Sequence, residues 1–377
     1  MKIAVDVKFL FNSGTGIAGF TANLLEDLLG QPETGHEFYL LVPGQVEIKR
    51  RWSGRVEQIH VPAFAWIKKG RFVVYDQVSE LIALNKLKPD VLFSPYYDVP
   101  VLYRRPCILT IHDLTMSRYS HLYRPAFGKY YEFLLRNAIG RGGCIVTLTQ
   151  TTRQEIISKF SYPPDRVILF SHRLKEEFRE ISIDDSTRGR IRDRYNLPSQ
   201  YILYSGGTDP RKNLENLFGG YAILRQIHRD TPPLVLIGKD TRVFWDLASK
   251  ADIKNAQNCI YTPGYIQEAD LPTLYSLSLL TVYPSSYEGF GFPLLESMAS
   301  GRVVCCSDIP VFREIGGDVP VYFDQTNVED IAQKLLATLT DTHDREDRAL
   351  AGRTRARAYV DVSNRATFLK IVNSNHV

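Results

Sequence analysis

Two glutamates with seven residues between them, Glu288 and Glu296, flank a glycine-rich loop. The apolar run 279–283 before the loop predicts a buried strand. Pro293 suits the first position of a following helix, because its missing N–H would be unpaired there, and Gly301 suits the helix end. A strand, a glycine loop and a helix start in this order form an anion-binding geometry. The carboxylates would repel an anion, so we expect them to accept hydrogen bonds from hydroxyl groups, such as those of a sugar.

Glu296 also has a simpler interpretation. We predict it in the first turn of the helix, where acidic residues are common because they interact favourably with the helix dipole. Both interpretations stay open for Glu296 alone. The combination of two glutamates, a glycine loop and a helix start favours a ligand site.

Two adjacent cations, Arg211 and Lys212, follow the apolar run 201–205. Asp209 or Thr208 can cap a helix that Pro210 opens, which would place both cations in its first turn. Cations there oppose the helix dipole, so we expect them to serve a ligand. A diphosphate fits a guanidinium fork next to a lysine charge, and a solvated pair is the alternative.

A histidine, His112, stands directly after the predicted strand 107–111 and before Asp113. Open α/β sheets bind ligands at the carboxyl ends of their strands. A lone histidine is usually structural, but this position favours a functional role.

The segment G-T-G-I-A-G at 14–19 is a literal match to the dinucleotide-binding fingerprint. That fingerprint places its first glycine at the end of the strand, whereas here residues 8–13 intervene after the predicted strand 1–7. It also requires an acid after the second strand, 37–42, where Pro-Gly-Gln stands instead. The context therefore speaks against a nicotinamide site, although a nicotinamide-dependent dehydrogenase stays an alternative.

Strand-like and helix-like runs alternate along both halves of the chain, which predicts β-α-β units and parallel sheets. The length of 377 residues fits two domains. The charged, unpatterned segment 175–193 predicts the linker between them. Predicted strands are 1–7, 37–42, 91–94, 107–111, 144–148 and 166–170 in the first half, and 201–205, 234–238, 259–262, 279–283, 303–306 and 320–323 in the second. Predicted helices of the first half are 20–29, 73–86, 125–139 and 151–160, after a glycine-rich turn at 12–19.

The segment E-G-F-G-F-P-L-L-E at 288–296 resembles the E-x7-E signature of family 4 retaining glycosyltransferases, which have the GT-B fold. T-I-H-D-L at 110–114, P-R-K-N at 210–213 and T-G-I at 15–17 are also similar to segments of that family. The resemblance implies two doubly wound, Rossmann-like α/β domains that face each other across a cleft. An acceptor domain would span 1–175 and a nucleotide-sugar domain 195–355, with a last helix, 356–377, that crosses back to the first domain.

The resemblance also implies roles for individual residues. The catalytic set would be Glu288, His112, Arg211 and Lys212. Residues expected to bind the donor are Gly16, Asp113, Gly207, Gly289, Phe290, Gly291, Phe292, Leu294 and Glu296.

The chain departs from the family pattern at three places. Gly19 replaces an arginine of the first loop, so any contact made by that arginine is in doubt. Ser171-His172-Arg173 replaces a glycine-bearing segment, and Val362-Ser363-Asn364 lacks the usual aromatic residue before the last helix.

The implied reaction is transfer of a hexosyl group, with retention of configuration, from a nucleotide sugar to a hydroxyl of a glycan or polyprenyl-diphosphate-linked acceptor. Similarity to bacterial polysaccharide mannosyltransferases points to GDP-mannose, while UDP-hexoses and GDP-linked deoxyhexoses stay open. No cofactor is implied. A non-catalytic nucleotide-sugar binder is a further alternative.

Metal ligands of the expected kinds are missing from the sequence. No two aspartates are separated by a single residue, so no D-x-D pair could hold a diphosphate through a cation, and no H-x-x-x-H pair predicts zinc. We therefore expect no divalent metal. The five cysteines are odd in number and lack C-x-x-C spacing, which favours reduced core thiols in a cytoplasmic protein.

The most basic stretch, 47–71, interleaves cations with Trp52, Phe64 and Trp66. It predicts docking on an anionic membrane surface, such as the inner face of the membrane, with a solvated loop as the alternative. We expect no signal peptide, and no apolar run reaches the roughly 20 residues of a membrane span. A net charge of +4 is too mild for a nucleic-acid-binding protein.

Overall fold

The chain divides into two compact units. One comprises residues 1–173 and 362–377, and the other comprises 174–361. The computed structural model describes every residue except 12–15, 32–34, 46, 49–51, 63–74, 142, 180–182, 239 and 375–377.

The first unit contains a parallel sheet with the strand order β3-β2-β1-β4-β5-β6-β7. Three of its strands, β4, β5 and β6, are buried along their whole length, as expected for a parallel sheet that helices cover on both faces. The strands are β1 (Lys2–Asp6), β2 (Glu37–Pro43), β3 (Arg55–Val61), β4 (Val91–Ser94), β5 (Cys107–Thr110), β6 (Cys144–Thr147) and β7 (Val167–Leu169).

The helices of the first unit largely match the predicted ones in its later part. Pro125 opens α4, and the Thr149 side chain caps α5 by accepting a hydrogen bond from the Thr152 N–H. The helices are α1 (Gly16–Leu29), α2 (Glu80–Leu87), α3 (Thr115–Arg118), α4 (Pro125–Gly140) and α5 (Gln150–Phe160), with α14 (Arg365–Val372) from the end of the chain.

Three predictions for the first unit need correction. Helix α1 starts at Gly16, so the predicted turn does not extend to residue 19. The predicted helix 73–86 is a π-helical turn, Tyr75–Ser79, followed by α2. Strand β3 was not predicted, because it is a sheet-edge strand whose residues are nearly all exposed or half-exposed, so it lacks an apolar run. Most of the basic stretch around it, including Phe64, Trp66 and its lysines, lies outside the described residues.

Helix α14 is part of the first unit although it ends the chain. The Phe368 ring is fully buried and lies edge-on to Phe93, with centroids 5.5 Å apart. The Asn364 side chain exchanges two hydrogen bonds with the backbone of Ser171, at 2.8 and 2.9 Å. These contacts hold the helix although the aromatic residue usual before it is absent.

The second unit contains a parallel sheet with the order β10-β9-β8-β11-β12-β13. All six strands lie where the alternating pattern predicts them. They are β8 (Ile202–Ser205), β9 (Leu234–Ile237), β10 (Ile260–Tyr261), β11 (Leu280–Tyr283), β12 (Val303–Ser307) and β13 (Val321–Phe323). The helices are α6 (Asp185–Arg194), α7 (Leu214–Ile227), α8 (Thr241–Lys250), α9 (Leu271–Leu277), α10 (Phe292–Ala299), α11 (Pro310–Gly316), α12 (Val328–Thr340) and α13 (Thr342–Ala356).

The segment predicted as a linker belongs to the second unit. It contains α6, which the Asp184 side chain caps by accepting a hydrogen bond from the Thr187 N–H at 2.8 Å. Phe178 is buried against Tyr275, with ring centroids 5.6 Å apart. This packing could not be predicted from the charged composition of the segment, because α6 has only one buried residue, Ile191.

All five cysteines are buried and form no disulfide, which confirms the predicted unpaired core thiols. Among the described residues, no helix is both long enough and apolar enough to span a membrane.

Each sheet has a topological switch point. In the first unit β1 lies between β2 and β4, and in the second unit β8 lies between β9 and β11. In each unit the next strands along the chain are added on one side of the first strand, and the later strands on its other side. This reversal opens a crevice at the carboxyl edge of the sheet. The loops after β8 and β11 carry the residues that the sequence singles out.

Candidate active site

The loops after β8 and β11 are joined by hydrogen bonds at the switch point of the second sheet. The Ser286 N–H donates to the Arg211 carbonyl at 2.8 Å, and the Asn213 side chain donates to the Pro284 carbonyl at 3.1 Å. These bonds bring two predicted segments together although they lie far apart in the sequence.

Arg211 and Lys212 lie on a short 3-10 turn, Pro210–Lys212, and not in the first turn of α7 as predicted. Asp209 caps this turn by accepting a hydrogen bond from the Arg211 N–H at 3.1 Å. Asn213, with φ 53°, then adopts a left-handed conformation that separates the turn from α7. The two cations therefore do not oppose the dipole of a long helix, and that part of the sequence argument is wrong.

The partner of both cations is Glu288. Its Oε1 accepts from Lys212 Nζ at 2.5 Å and from the Ser285 hydroxyl at 2.8 Å, and its Oε2 accepts from Arg211 Nη1 at 2.9 Å. Arg211 Nη1 also donates to the Tyr287 carbonyl at 3.1 Å. The Tyr287 carbonyl and the Glu288 carboxylate together fix the orientation of the Arg211 guanidinium group.

The two cations of this cluster determine the protonation state of Glu288. Burial alone would raise the pKa of Glu288, but the Lys212 and Arg211 charges outweigh burial and lower it to about 2. The carboxylate is therefore ionised throughout the physiological range and can only accept hydrogen bonds. Asp209 Oδ1 also lies 3.5 Å from Arg211 Nε, so the two cations face two carboxylates at the carboxyl edge of the sheet.

Helix α10 starts one residue earlier than predicted. Phe292 is its first residue and Pro293 its second, so Glu296 is the fifth residue and lies outside the first turn. Gly291 precedes the helix with φ 94°, and a Cβ atom there would come within 2.9 Å of the Phe312 ring. The glycine is thus required by both its backbone conformation and its close packing. At the other end, Gly301 adopts φ 65° just after the helix, as predicted for a helix-ending glycine.

Glu296 has its own partners. Its Oε1 forms a salt bridge with Lys175 at 3.2 Å, and its Oε2 accepts from the Tyr275 hydroxyl at 3.2 Å. Burial raises the pKa of Glu296, and the Lys175 charge only partly opposes this effect. Because Glu296 is not in the first turn, favourable interaction with the helix dipole no longer explains it.

Other predicted donor-binding residues line the same edge of the second unit. Phe290 is almost fully buried and packs on Phe292, with ring centroids 4.9 Å apart, and Gly289 precedes it in the loop. The Leu294 side chain is fully buried, so it is part of the core. The Gly207 carbonyl accepts from the Tyr204 hydroxyl at 2.6 Å, which fixes the loop after β8.

Gly16, His112 and Asp113 belong to the first unit. His112 Nε2 donates to the Pro95 carbonyl at 2.8 Å, which leaves Nδ1 as the acceptor in the neutral ring. Burial lowers the pKa of His112, so the neutral form is favoured. Asp113 Oδ1 accepts from the Thr115 N–H at 2.8 Å, at the start of α3. Gly16 is the first residue of α1, whose Phe20 ring lies edge-on to His112 at 5.2 Å.

The first unit has a charged cluster at its own switch point. Lys8 Nζ lies 2.9–3.7 Å from carboxylate oxygens of Asp6, Asp76, Glu80 and Asp98. All five side chains are buried. Burial alone would lower the pKa of Lys8, but the four carboxylates raise it, while burial raises the pKa of Asp76 to about 7.

The sequence missed several residues of these clusters. Ser285 lies three residues before Glu288, and its hydroxyl could have been named as a donor to that carboxylate. Lys175 and Tyr275 carry no local signal, because both are far from Glu296 in the chain. Among the described residues, no three His, Cys, Asp or Glu side chains are placed so that they could hold a metal ion.

Two family models match the chain. The model for Glycosyltransferase Family 4 matches residues 16–172, and that for Glycosyl transferases group 1 matches residues 188–355. The chain is 30% identical over 281 residues to O-antigen chain mannosyltransferase B of Escherichia coli, covering 74% of this chain and 72% of that protein. It is also 30% identical over 284 residues to the serotype-specific mannosyltransferase WbdA of Escherichia coli, covering 70% of this chain but only 34% of WbdA.

A solved structure shares the fold at low sequence identity. Sucrose-phosphate synthase from Thermosynechococcus elongatus superposes with a TM-score of 0.75 at 18% identity, covering 99% of this chain and 97% of that one.

Proposed function

This chain belongs to glycosyltransferase family 4 and has the GT-B fold, and on that premise we propose that it transfers a hexosyl group from a nucleotide sugar to a hydroxyl of an acceptor. The observation that carries the proposal is the cluster of Arg211, Lys212 and Glu288. It combines two adjacent, partly exposed cations for a diphosphate with a carboxylate that is ionised at physiological pH for sugar hydroxyls.

The donor proposed is GDP-mannose, and the acceptor is a glycan or a polyprenyl-diphosphate-linked glycan of polysaccharide biosynthesis. The support for mannose is that two relatives, each 30% identical, bear the names of mannosyltransferases, one of them of the O-antigen chain. The pattern of residues at the site is compatible with any hexose, so the donor needs a direct test.

Catalysis in this proposal rests on positioning and electrostatics. Arg211 and Lys212 stabilise the charge that grows on the leaving diphosphate as the sugar bond breaks. Glu288 orients the sugar, and the acceptor hydroxyl attacks from the face that the diphosphate leaves, so the anomeric configuration is retained. No cofactor and no divalent metal take part.

Glu296 is proposed to accept hydrogen bonds from the ribose hydroxyls. Both of its present contacts are 3.2 Å long, and ionised carboxylate oxygens have room for further donors. His112 and Asp113, on the other unit, are proposed to act near the sugar, with His112 Nδ1 as the acceptor.

The decisive experiment is a thermal-shift panel of nucleotide sugars and nicotinamide dinucleotides, followed by a transfer assay with the donor that binds. A ligand that binds only the native state raises the melting temperature. We expect GDP-mannose to give the largest shift, and NMR of the product to show a retained anomeric configuration. A shift with UDP-glucose alone would correct the donor, and a shift with nicotinamide dinucleotides alone would refute the transferase. Donor binding without transfer to any acceptor would identify a non-catalytic binder.

A further inference from the structure

A cavity lies at the amino-end edge of the second sheet, opposite to the edge that carries the candidate active site. It has a volume of about 380 Å³ and is bordered by the residues just before β11 and β12 and by one face of α13. All strands of this sheet run parallel, so their amino ends form an edge that the donor-binding loops do not reach. Nothing in the proposed reaction uses this cavity, and the inference drawn from it does not depend on that reaction.

Three arginines line the cavity: Arg302, Arg345 and Arg353. Arg345 and Arg353 are eight residues apart on α13, two steps of the four-residue spacing that places side chains on one helix face. A fourth arginine, Arg188 of α6, is close enough to Arg302 to act on its charge. One acid, Glu346, also lines the cavity.

Within the part of the chain that the structure describes, none of these four arginines forms a salt bridge with a carboxylate. Other arginines of the same unit do have partners. Arg313 pairs with Asp308 at 2.7 Å, and Arg348, on the same helix as Arg345, pairs with Asp344 at 2.7 Å. The cavity therefore gathers unneutralised positive charge in a unit where carboxylate partners are otherwise available.

Arg302 is the centre of this group. Its Nε is buried and has no hydrogen-bond partner among the described residues, and its Nη1 reaches the Ser278 carbonyl only at 3.3 Å. A buried donor without an acceptor is unfavourable, and neighbouring cations make it more so. Arg345 is held in place, because its Nη1 donates to the carbonyls of Thr338 and Leu339 at 3.2 and 2.9 Å.

We infer that this cavity is a binding site for the phosphate group of a phosphate monoester. A phosphate supplies several acceptor oxygens and two negative charges, which match several guanidinium groups that line one cavity better than a carboxylate does. Leu279 and Val303 form an apolar part of the wall, and the volume is within the range of small-molecule sites. The site takes its ligand independently of the donor diphosphate at the other edge of the sheet.

Inorganic phosphate is the first probe, titrated calorimetrically at constant ionic strength so that general screening does not change. The parent protein carries Lys212→Ala, which weakens phosphate binding at the candidate active site. In this background we expect Arg353→Gln, at an exposed position, to weaken phosphate binding at least tenfold, and Arg302→Gln to weaken it further. Arg313→Gln removes a paired arginine elsewhere on the unit and should leave the affinity unchanged.

Unchanged affinity in both Arg353→Gln and Arg302→Gln would overturn the inference. An equal loss in Arg313→Gln would also overturn it, because net charge alone would then explain binding. Should Arg302→Gln fail to fold, Arg353→Gln and Arg345→Gln decide the question.

Two further probes separate the sources of the phosphate. Glycerol 3-phosphate represents a soluble monoester, and vesicles containing phosphatidic acid represent a lipid headgroup. Arginine-dependent binding of glycerol 3-phosphate without vesicle binding identifies a soluble ligand. Vesicle binding that Arg353→Gln abolishes identifies the headgroup. Loss of transfer activity in these variants is not required, so failure here leaves the proposed reaction untouched.

Discussion

The two switch points of this protein have the same topology but a different balance of charged side chains. After β1, one cation, Lys8, is surrounded by four carboxyl groups, and the lysine side chain is only 7% exposed. After β8, two cations, Arg211 and Lys212, share the Glu288 carboxylate and keep 15–19% of their side chains exposed, and Arg211 also pairs with Asp209 at 3.5 Å. The first cluster has an excess of carboxyl groups over cations, whereas in the second cluster cations and carboxylates are equal in number.

This difference favours the second unit as the binding place of the proposed diphosphate. The Lys8 cluster would repel a diphosphate, and its burial indicates that it holds the first unit together. The cations of the Arg211 cluster are partly exposed, so the proposed diphosphate could reach them. Topology therefore supplies two equivalent places for a ligand, and side-chain charge selects between them.

The largest expected effect comes from breaking the first cluster. Lys8→Met leaves four carboxyl groups without their cation, so the free energy of unfolding should fall by about 3–5 kcal/mol, as for other broken buried ion pairs. Urea denaturation measures the change, with Lys86→Met at an exposed position of α2 as the control. An equal, small effect in both variants would show that the cluster contributes no stability.

The next effect concerns the two glutamates of the second unit. Glu288→Ala should lower turnover by about 10²–10³-fold, the range for a lost electrostatic contact to the transition state. Glu296→Ala should mainly weaken nucleotide binding. Titration of bare nucleoside diphosphate against both variants checks this division, which an equal loss of affinity would contradict.

A smaller effect is expected for each cation of the second cluster. Arg211→Ala and Lys212→Ala should each weaken nucleoside diphosphate binding by about 1.5–3 kcal/mol, as for hydrogen bonds to charged groups. Binding of the bare nucleoside should not change. Equal losses for both ligands would remove the phosphate assignment.

The two clusters should also respond to pH in opposite directions. The pKa of Glu288 is about 2, below its usual 4.5, so its contribution to stability is present above pH 4.5 and is lost as the pH falls toward 2. The pKa of Asp76 is about 7, above its usual 3.8, so its contribution is present below pH 3.8 and is lost as the pH rises through 7. Melting temperatures from pH 3 to 9 check both, with Glu288→Gln flattening the acid limb and Asp76→Asn the alkaline limb.

The last prediction is that removal of divalent metal ions has no effect on transfer activity. Excess EDTA should leave transfer activity unchanged, because the fixed cations of the second cluster neutralise the leaving diphosphate. Activity that disappears in EDTA and returns with magnesium or manganese would show that two cations are not sufficient.

Much of this architecture could be predicted from the amino-acid sequence. The alternation of apolar runs predicted all six strands of the second sheet, and the E-x7-E segment indicated the family that the comparisons show. Glycine and proline signals near Gly291, Pro293 and Gly301 marked the ends of α10 to within a residue or two. Such signals are local, so they survive without knowledge of the fold.

The charge partners were decided by the tertiary structure alone. Lys212 meets Glu288 across 76 residues of sequence, and Lys8 meets Asp76 across 68. From the sequence, Arg211 and Lys212 were expected to oppose a helix dipole. The left-handed conformation of Asn213, which separates them from α7, could not be predicted. Lys175 was treated as part of a linker because nothing nearby reveals Glu296. Periodicity reports which face of an element is buried, but which charges meet depends on how distant loops converge at the edge of a sheet.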